Sequence, residues 1–504
     1  MPPYLLSIAL SLSCFSLFLG LVLLLRIKMF ESAQRRLNAN SCEERDAKDI
    51  TLQKKAKRPL NVLILHPDLG IGGAERLIID AALAMQKHQD ITPIRVTIVT
   101  CHHDSKRAFA ETVDGTVTVK VFGSWLPGTI FGKAKVLCVT FRMLWAAFMA
   151  CLFYPDTDCF VVDQVAAVLP LLHCIAPYSP RLFYSHFPDQ CCDSNRDEEG
   201  NFKTPPSKIH SMYRRFFDSL EARAMSLADS IVSNSKFSRD ITVKTFPQLK
   251  SLIDPEKDIF YPPVSWTNKT APLNTASDTC KEEMELLLNR IQGHSVILSI
   301  NRYERKKNLS LAIEAFALVI SKNLDSLVKS PLLIIAGGYD TRLIENVEHL
   351  KELKELASRH NLTDDQVLFL QNISEATKSL LLSQCCCLVY TPTMEHFGIV
   401  PTEAMVCAKP VIAVNQGGPC ESVGEGGTLC DPTPEAFAAA MTTYIRDEAL
   451  ASRVGAAGRE RALSLFSMEV FGEKLATRLL TLWTGVNATF PTEGVENNGK
   501  QKSN

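Results

Sequence analysis

The stretch YTPTMEHFGIVPTEAM, Tyr390–Met405, decides the fold and points to a binding site in the same few residues. It grows out of an apolar run, CCCLVYTP (Cys385–Pro392), that turn residues follow, as they do a buried parallel strand. Gly398 breaks the run, and Pro401 stands where the first turn of a helix tolerates a missing N–H. PTEAMVCA (Pro401–Ala408) then carries good helix formers. The order is strand, glycine-containing loop, helix N-terminus. Ligands bind at such ends of an open α/β sheet, and the free N–H groups of a helix start attract phosphate. Glu395 and Glu403 lie on either side of the bend, eight positions apart. Carboxylates accept hydrogen bonds from hydroxyls, so the pair suits two ends of one polar ligand such as a sugar and a ribose. A plainer reading stays open on this stretch alone: Glu403 complements the helix dipole and Glu395 is a solvated loop acid.

The same grammar repeats along the chain. LNVLILH (Leu60–His66) is an apolar strand, PDLGIGGAER (Pro67–Arg76) a glycine-rich loop, and LIIDAALAMQ (Leu77–Gln86) a helix. IRVTIVT (Ile94–Thr100), VTVKVF (Val117–Phe122), CFVVD (Cys159–Asp163), RLFYSHFP (Arg181–Pro188) and SIVSNS (Ser230–Ser235) read as further strands with helical stretches between. A second series starts at SVILSIN (Ser295–Asn301), with a helix at Leu309–Ile320 and strands at Pro331–Gly338, Gln366–Gln371, the CCCLVYTP run and Pro410–Asn415. Strands alternating with helices imply parallel sheets covered on both faces. The expected fold is α/β, two doubly wound Rossmann-like domains with a central cleft, at 59–265 and 291–466. A breaker-rich linker falls at 266–290, a helix at 467–486 packing back on the first domain, and a disordered tail at 487–504. A cleft with loops from both sides suits a two-substrate enzyme.

The 504 residues are too many for one ordinary core, and 46% hydrophobic with 22% charged residues is ordinary globular composition. A net charge of -1 gives no bulk argument for nucleic acid. The 16 cysteines include Cys191-Cys192 and Cys385–Cys387, neither with the C-x-x-C spacing of a metal site, and they read as reduced, mostly core residues. Five N-x-S/T sequons stand at Asn268, Asn308, Asn361, Asn372 and Asn487. Tyr4–Leu25 is an uncharged run of 22 residues, long enough to span a bilayer core of about 30 Å. Arg26, Lys28, Arg35 and Arg36 all follow it, which by the positive-inside rule places the rest of the chain in the cytosol. The expectation is an uncleaved anchor at 1–28 and a polar tether at 29–58.

Three further loops leave strand ends. In GIGGAER, Gly72 and Gly73 let backbone N–H groups approach a phosphate, or simply make a tight turn. SINRYERKKN (Ser299–Asn308) packs Arg302, Arg305, Lys306 and Lys307 into six positions, enough charge to neutralise a diphosphate, although four cations cannot all face one ligand. FYSHFPD (Phe183–Asp189) sets His186 just past an apolar strand.

Together these pieces resemble the retaining two-Rossmann-domain glycosyltransferases, the GT-B type, that carry an E-x7-E motif; EHFGIVPTE is that motif, and Arg302 to Lys307 its R-x4-K companion. HPDLGIGGAERL, FYSHFPD, SINRYERKKNL, IIAGGYD, NVEHLKEL, EHFGIVPTEAM and PVIAVNQGGP resemble more closely the alpha-1,3/1,6-mannosyltransferases of lipid-linked oligosaccharide synthesis, over roughly Leu60 to Leu480. Thr402 stands where that family usually has Leu, Ser185 where it has Cys, and the segment after Gly418-Pro419 is about two residues shorter.

The resemblance implies transfer of mannose from GDP-mannose to a dolichol-diphosphate-linked Man-GlcNAc2 chain, through α1,3 and α1,6 bonds, at the endoplasmic reticulum membrane with the catalytic domains cytosolic. It implies that Glu403 holds the ribose and Glu395 orients the mannose. Amides at Phe397, Gly398, Ile399 and Val400 lie beside the diphosphate, and His186 contacts the sugar. Arg302 and Lys307 stabilise the leaving group, and Gly72 and Gly73 close over it. No cofactor and no metal are expected, nor any nucleic-acid partner, and a complex with other enzymes of the pathway stays open. A lipid-acceptor enzyme using another sugar nucleotide, and an inactive membrane-tethered scaffold of the same fold, are the alternatives.

Overall fold

The computed structural model describes residues 20–36, 58–87, 92–130, 134–192, 208–264, 278–321 and 329–489. They form two six-stranded sheets. The first contains β1 (Leu60–His66), β2 (Ile94–Thr100), β3 (Thr118–Val121), β4 (Cys159–Asp163), β5 (Arg181–Ser185) and β6 (Ser230–Ser233), in the order β3-β2-β1-β4-β5-β6. The second contains β7 (His294–Ile300), β8 (Ser330–Gly337), β9 (Val367–Gln371), β10 (Cys387–Tyr390), β11 (Val411–Val414) and β12 (Gly427–Cys430), in the order β12-β11-β10-β7-β8-β9. Strands β1 and β2 run parallel with Val62 opposite Val96, β1 and β4 with Val62 opposite Cys159, and β7 and β10 with Ile297 opposite Cys387.

Both faces of the second sheet are buried, which is why its strands are apolar without a break. Alternation sorts the side chains. Ile297, Leu333, Ile335, Val389 and Ile412 meet helices Leu309–Ser321, Ile344–Arg359 and Pro434–Arg446. Val296, Leu298, Leu332, Ile334, Leu388 and Val411 meet helices Asp278–Ile291, Ile399–Val406 and Glu448–Leu465. Helix Asp278–Ile291 occupies all of the described part of the expected linker. Met284, Leu287 and Ile291 recur at helical spacing and are buried, so the second series begins with this helix and not at residue 291. Residues 265–277 lie outside the described ones. Strand β12 was not expected: GTLC is a four-residue edge strand with no apolar alternation.

The chain groups into two compact units. Of the described residues, those within Met1–Tyr184, Pro205–Ile231 and Glu473–Asn504 form one, and those within Ser185–Thr204 and Val232–Gly472 form the other. His186, expected with the first series, therefore groups with the second. The last helix, Met468–Thr489, contributes Leu475, Ala476 and Leu479 to the core, and its Arg478 Nη1 donates to Ser230 Oγ at 2.8 Å in the first unit.

The run Tyr4–Leu25 lies largely outside the described residues, as do 37–57 of the expected tether and 490–504 of the tail. Residues 20–36 are helical, so the tether does not begin at 29. Leu25, Met29 and Ala33 recur every fourth residue and are buried. Arg36, counted as a flanking cation, is a fold residue: its guanidinium donates to Thr157 O at 2.6 Å and Asp158 Oδ1 at 3.1 Å. Asp158, 2% exposed, also pairs with Arg58 at 2.7 Å and accepts from Asn61 N at 2.8 Å. Among the described residues, helix Lys135–Phe153 is long and apolar enough to cross a membrane. Met143, Ala146, Ala147, Ala150 and Cys151 are fully buried against this unit, while Phe141, Trp145 and Phe153 are exposed.

Asp158→Ala leaves two arginines and a backbone N–H without their acceptor. It is expected to cost about 3 kcal/mol, as breaking a buried pair does, in urea unfolding of the detergent-purified chain. A change within about 0.5 kcal/mol, the usual effect at a surface position, contradicts that role.

Candidate active site

In the second sheet the strand order reverses between β7 and β10, and the loops after these two strands carry the cationic and acidic motifs. Each loop is pinned from below. Tyr303 is fully buried, and its hydroxyl is shared between Ile335 O at 2.9 Å and Leu370 O at 3.1 Å. Gly337 has φ +154, and a Cβ there would lie 1.9 Å from Asn301 O, so the strand end approaches the cationic loop closely only as glycine. Thr391, at the end of β10, donates through Oγ1 to Lys307 O at 2.7 Å and joins the two loops directly.

Only one of the four cations turns inward. Lys307 Nζ meets Glu395 Oε2 at 2.5 Å, with side chains 15% and 22% exposed. Arg305 turns away to Glu348 and Glu352 on helix Ile344–Arg359, at 3.1 and 2.6 Å. Arg302 and Lys306 are 62% and 67% exposed, and both hold Glu304, at 2.9 and 3.1 Å. Burial alone would push the Glu395 carboxyl up; Lys307, His396 and a hydrogen bond from Tyr390 outweigh it and hold it below the usual carboxylate range.

Gly398 caps helix Ile399–Val406 with φ 88, a conformation that favours glycine. The Phe397 ring is 2% exposed and packs between Tyr261 and Phe466, so this residue offers the loop its backbone rather than its side chain. The first N–H groups of the helix, at Ile399 and Val400, have no intrahelical partner. Thr402, the departure from Leu, is buried and donates to Ile399 O at 2.7 Å, so its hydroxyl is satisfied inside the helix. The Gly417-Gly418 turn packs beneath the motif. A Cβ at Gly418 would lie 2.4 Å from His396 O, and Gly418 N donates to Glu395 O at 2.8 Å. Glu403 is met by Lys378, with Nζ 2.7 Å from its Oε1; Lys378 also reaches Glu375 at 3.3 Å. Lys378 was not singled out in the sequence. It lies on helix Glu375–Gln384, which follows the C-terminal end of β9 as the two motifs follow the C-terminal ends of β7 and β10.

His396, inside the motif, is not singled out by the sequence. Its ring stacks on Phe187 at 4.1 Å between centroids and 12° between planes, and its carbonyl accepts from Ser235 Oγ at 2.5 Å. Burial pushes its imidazole down to about 4; Glu395 opposes this, and His186 and Lys307 add to it. His186, one residue from Phe187, thus lies within electrostatic reach of the Lys307–Glu395 pair's neighbour. Together these contacts collect His186, Lys307, Glu395 and the 397–400 amides in one unit, with Glu403 on the same short helix and Arg302 at the exposed rim of the cationic loop.

Gly72 and Gly73 belong to the other unit. Neither is among the glycines with positive φ, and a Cβ at Gly72 would meet only the flexible end of Glu75, so the turn itself does not demand glycine there. Beside them, at the strand-order reversal of the first sheet, His66 Nδ1 and Asp163 Oδ2 are 2.7 Å apart, both fully buried.

The architecture and motifs define a GT-B glycosyltransferase. The model of the family "Glycosyl transferases group 1" matches residues 287–461. HepE of Anabaena, solved with UDP and glucose, superposes with TM-score 0.56 at 20% identity, over 84% of this chain and all of its own. Sucrose-phosphate synthase of Thermosynechococcus elongatus superposes with TM-score 0.60 at 18% identity, over 85% of this chain and all of its own. The alpha-1,3/1,6-mannosyltransferase ALG2 of Dictyostelium discoideum is 40% identical over 84% of this chain and 98% of its own length. The human protein of that name is 40% identical over 83% and 96%. The chain belongs to the alpha-1,3/1,6-mannosyltransferase family.

The lowered pKa of His396 has a sign that can be checked. Between about 4 and the ordinary value of 6.5 the unfolded chain binds a proton that the folded chain refuses. Stability therefore falls as the pH drops through that window and levels off below it. His396→Asn is expected to flatten the slope in thermal melts across the window; an unchanged slope contradicts the buried neutral imidazole.

Proposed function

We propose that this enzyme takes mannose from GDP-mannose and adds it, through α1,3 and α1,6 bonds, to a dolichol-diphosphate-linked Man-GlcNAc2 acceptor, retaining configuration at the transferred carbon. The observation that carries the reading is the Lys307–Glu395 pair at the end of β7 and β10, beside a helix start with free N–H groups. The 397–400 amides and Lys307 take the diphosphate, Arg302 swings in from its exposed position, and Glu395 orients the mannose. As the C1–O bond breaks, negative charge grows on the departing phosphate oxygen. Lys307, Arg302 and the amides stabilise that charge, and the phosphate accepts the proton of the attacking acceptor hydroxyl on the same face. These cations supply the positive charge that a metal ion brings elsewhere. His186 contacts the sugar, and Glu403 holds the ribose.

Lys307→Ala is expected to lower kcat about a hundredfold, as loss of one stabiliser of developing charge does. Lys306→Ala removes an equal charge from a side chain that faces solvent, and its effect is expected to stay within about threefold, the scale of a surface substitution. Equal losses at both positions would refute the assignment. Glu403→Ala is expected to weaken GDP-mannose binding by about 1.5–3 kcal/mol, one charge-assisted hydrogen bond, in calorimetric titration. Unchanged affinity removes the ribose role.

The catalytic units face the cytosol at the endoplasmic reticulum membrane, held by Tyr4–Leu25, next to an acceptor confined to the same membrane. Asn361 reports on this: its sequon is intact, and it sits exposed in a left-handed turn, φ 55. Asn372 is a poorer reporter because its amide is tied to Tyr339 O at 2.7 Å. Asn361 is expected to carry no glycan in cells, and a glycan there overturns the topology.

A further inference from the structure

Each glutamate of the motif has its own lysine. Lys307 holds Glu395, and Lys378, from a different helix, holds Glu403. Lys378 is itself mostly buried, with its side chain 20% exposed, and it sits between two carboxylates. We infer that Lys378 is a positioning residue for the nucleotide, fixing the Glu403 carboxylate in the orientation that receives the ribose hydroxyls.

Charge and geometry assign this role, which rests on the donor site proposed above. A nucleoside diphosphate brings negative charge to a site that already holds two carboxylates. Unpaired, those carboxylates would repel it, and a Glu403 side chain without a fixed partner would be free to turn its oxygens away from the ribose. Lys378 removes both problems. One ammonium neutralises Glu403 through Oε1, and the bond to Glu375 fixes where that ammonium sits. Burial alone would push the lysine's pKa down, yet Glu403 and Glu375 hold it above its ordinary value, so it stays charged. Glu403 lies on helix Ile399–Val406, capped by Gly398, whose first N–H groups are the proposed diphosphate donors. A carboxylate held in one rotamer on that helix therefore sets the distance between ribose and diphosphate.

The test compares GDP with 2′-deoxy-GDP in calorimetric titrations of the full chain and of the variants Lys378→Met, Lys378→Arg and Glu403→Gln. Lys378→Met is expected to weaken GDP about tenfold and 2′-deoxy-GDP by much less, so that the preference for the ribose collapses. Lys378→Arg is expected to restore most of it. In turnover assays of Lys378→Met the loss is expected in the donor KM, with kcat within about threefold. Where Lys378→Met alone fails to fold, the double variant Lys378→Met/Glu403→Gln removes both charges together. It is expected to bind GDP no more weakly than Glu403→Gln does. A Lys378→Met protein that weakens GDP and 2′-deoxy-GDP equally, or a double variant markedly weaker than Glu403→Gln, reduces Lys378 to a structural lysine and overturns the inference. Glu403→Gln binding GDP as well as the wild type overturns the donor-site reading itself, which separates the two failures.

Discussion

The ion pair between Lys307 and Glu395 holds the second sheet's working edge together. It joins the loops of two strands, β7 and β10, that are neighbours in space and far apart in sequence. Everything around it serves to place those two side chains. Thr391 ties one loop to the other, and buried Tyr303 anchors the cationic loop to the strands behind it. Gly417 and Gly418 let a third loop pass directly under the backbone of Glu395 and His396. A pair this close and this sheltered puts a fixed cation beside a fixed anion. In the proposed reaction an ammonium pinned that way needs little reorganisation as charge grows on the leaving group, which is where enzymes gain most electrostatic stabilisation.

Pairing has a second consequence. The two glutamates would make the site acidic, yet lysines 307 and 378 cancel them locally. Arg302 and Lys306 share the single carboxylate of Glu304, which leaves one positive charge on that loop, and the start of helix Ile399–Val406 adds its dipole. His396 adds none, because burial keeps it neutral near physiological pH. In the proposed site the carboxylates accept from hydroxyls while the cations and amides donate to phosphate. In the proposed reaction those are the two halves of a sugar nucleotide.

Much of this was legible in the residues themselves. Continuous apolar runs such as LNVLILH and SVILSIN mark strands buried on both faces, and the loops with glycine or clustered charge fall at their ends. The R-x4-K spacing picked Lys307 over Lys306, and the structure turns the first inward and the second to solvent. Other features were hidden for physical reasons. Strand β12 is short and half-exposed, so it lacks an apolar pattern. Helix Asp278–Ile291 begins beside breaker-rich sequence, which masked its Met284, Leu287 and Ile291 stripe. Lys378 and His396 carry no spacing signal of their own, because a lysine on a helix is ordinarily solvated; only the tertiary partners Glu403 and Phe187 reveal them. Arg36 was counted as a membrane-flanking charge, whereas its partner Asp158 lies more than a hundred residues away.

The central claim is that this site transfers mannose from GDP-mannose. The direct measurement is the mass of the product formed by the purified full chain from GDP-mannose and a synthetic diphosphate-lipid carrying Man-GlcNAc2. The account predicts that the acceptor gains two hexoses, and that UDP-glucose and UDP-N-acetylglucosamine give none. An acceptor that gains no hexose from GDP-mannose while the chain still binds GDP, or one that gains its sugar from a UDP donor instead, would contradict it.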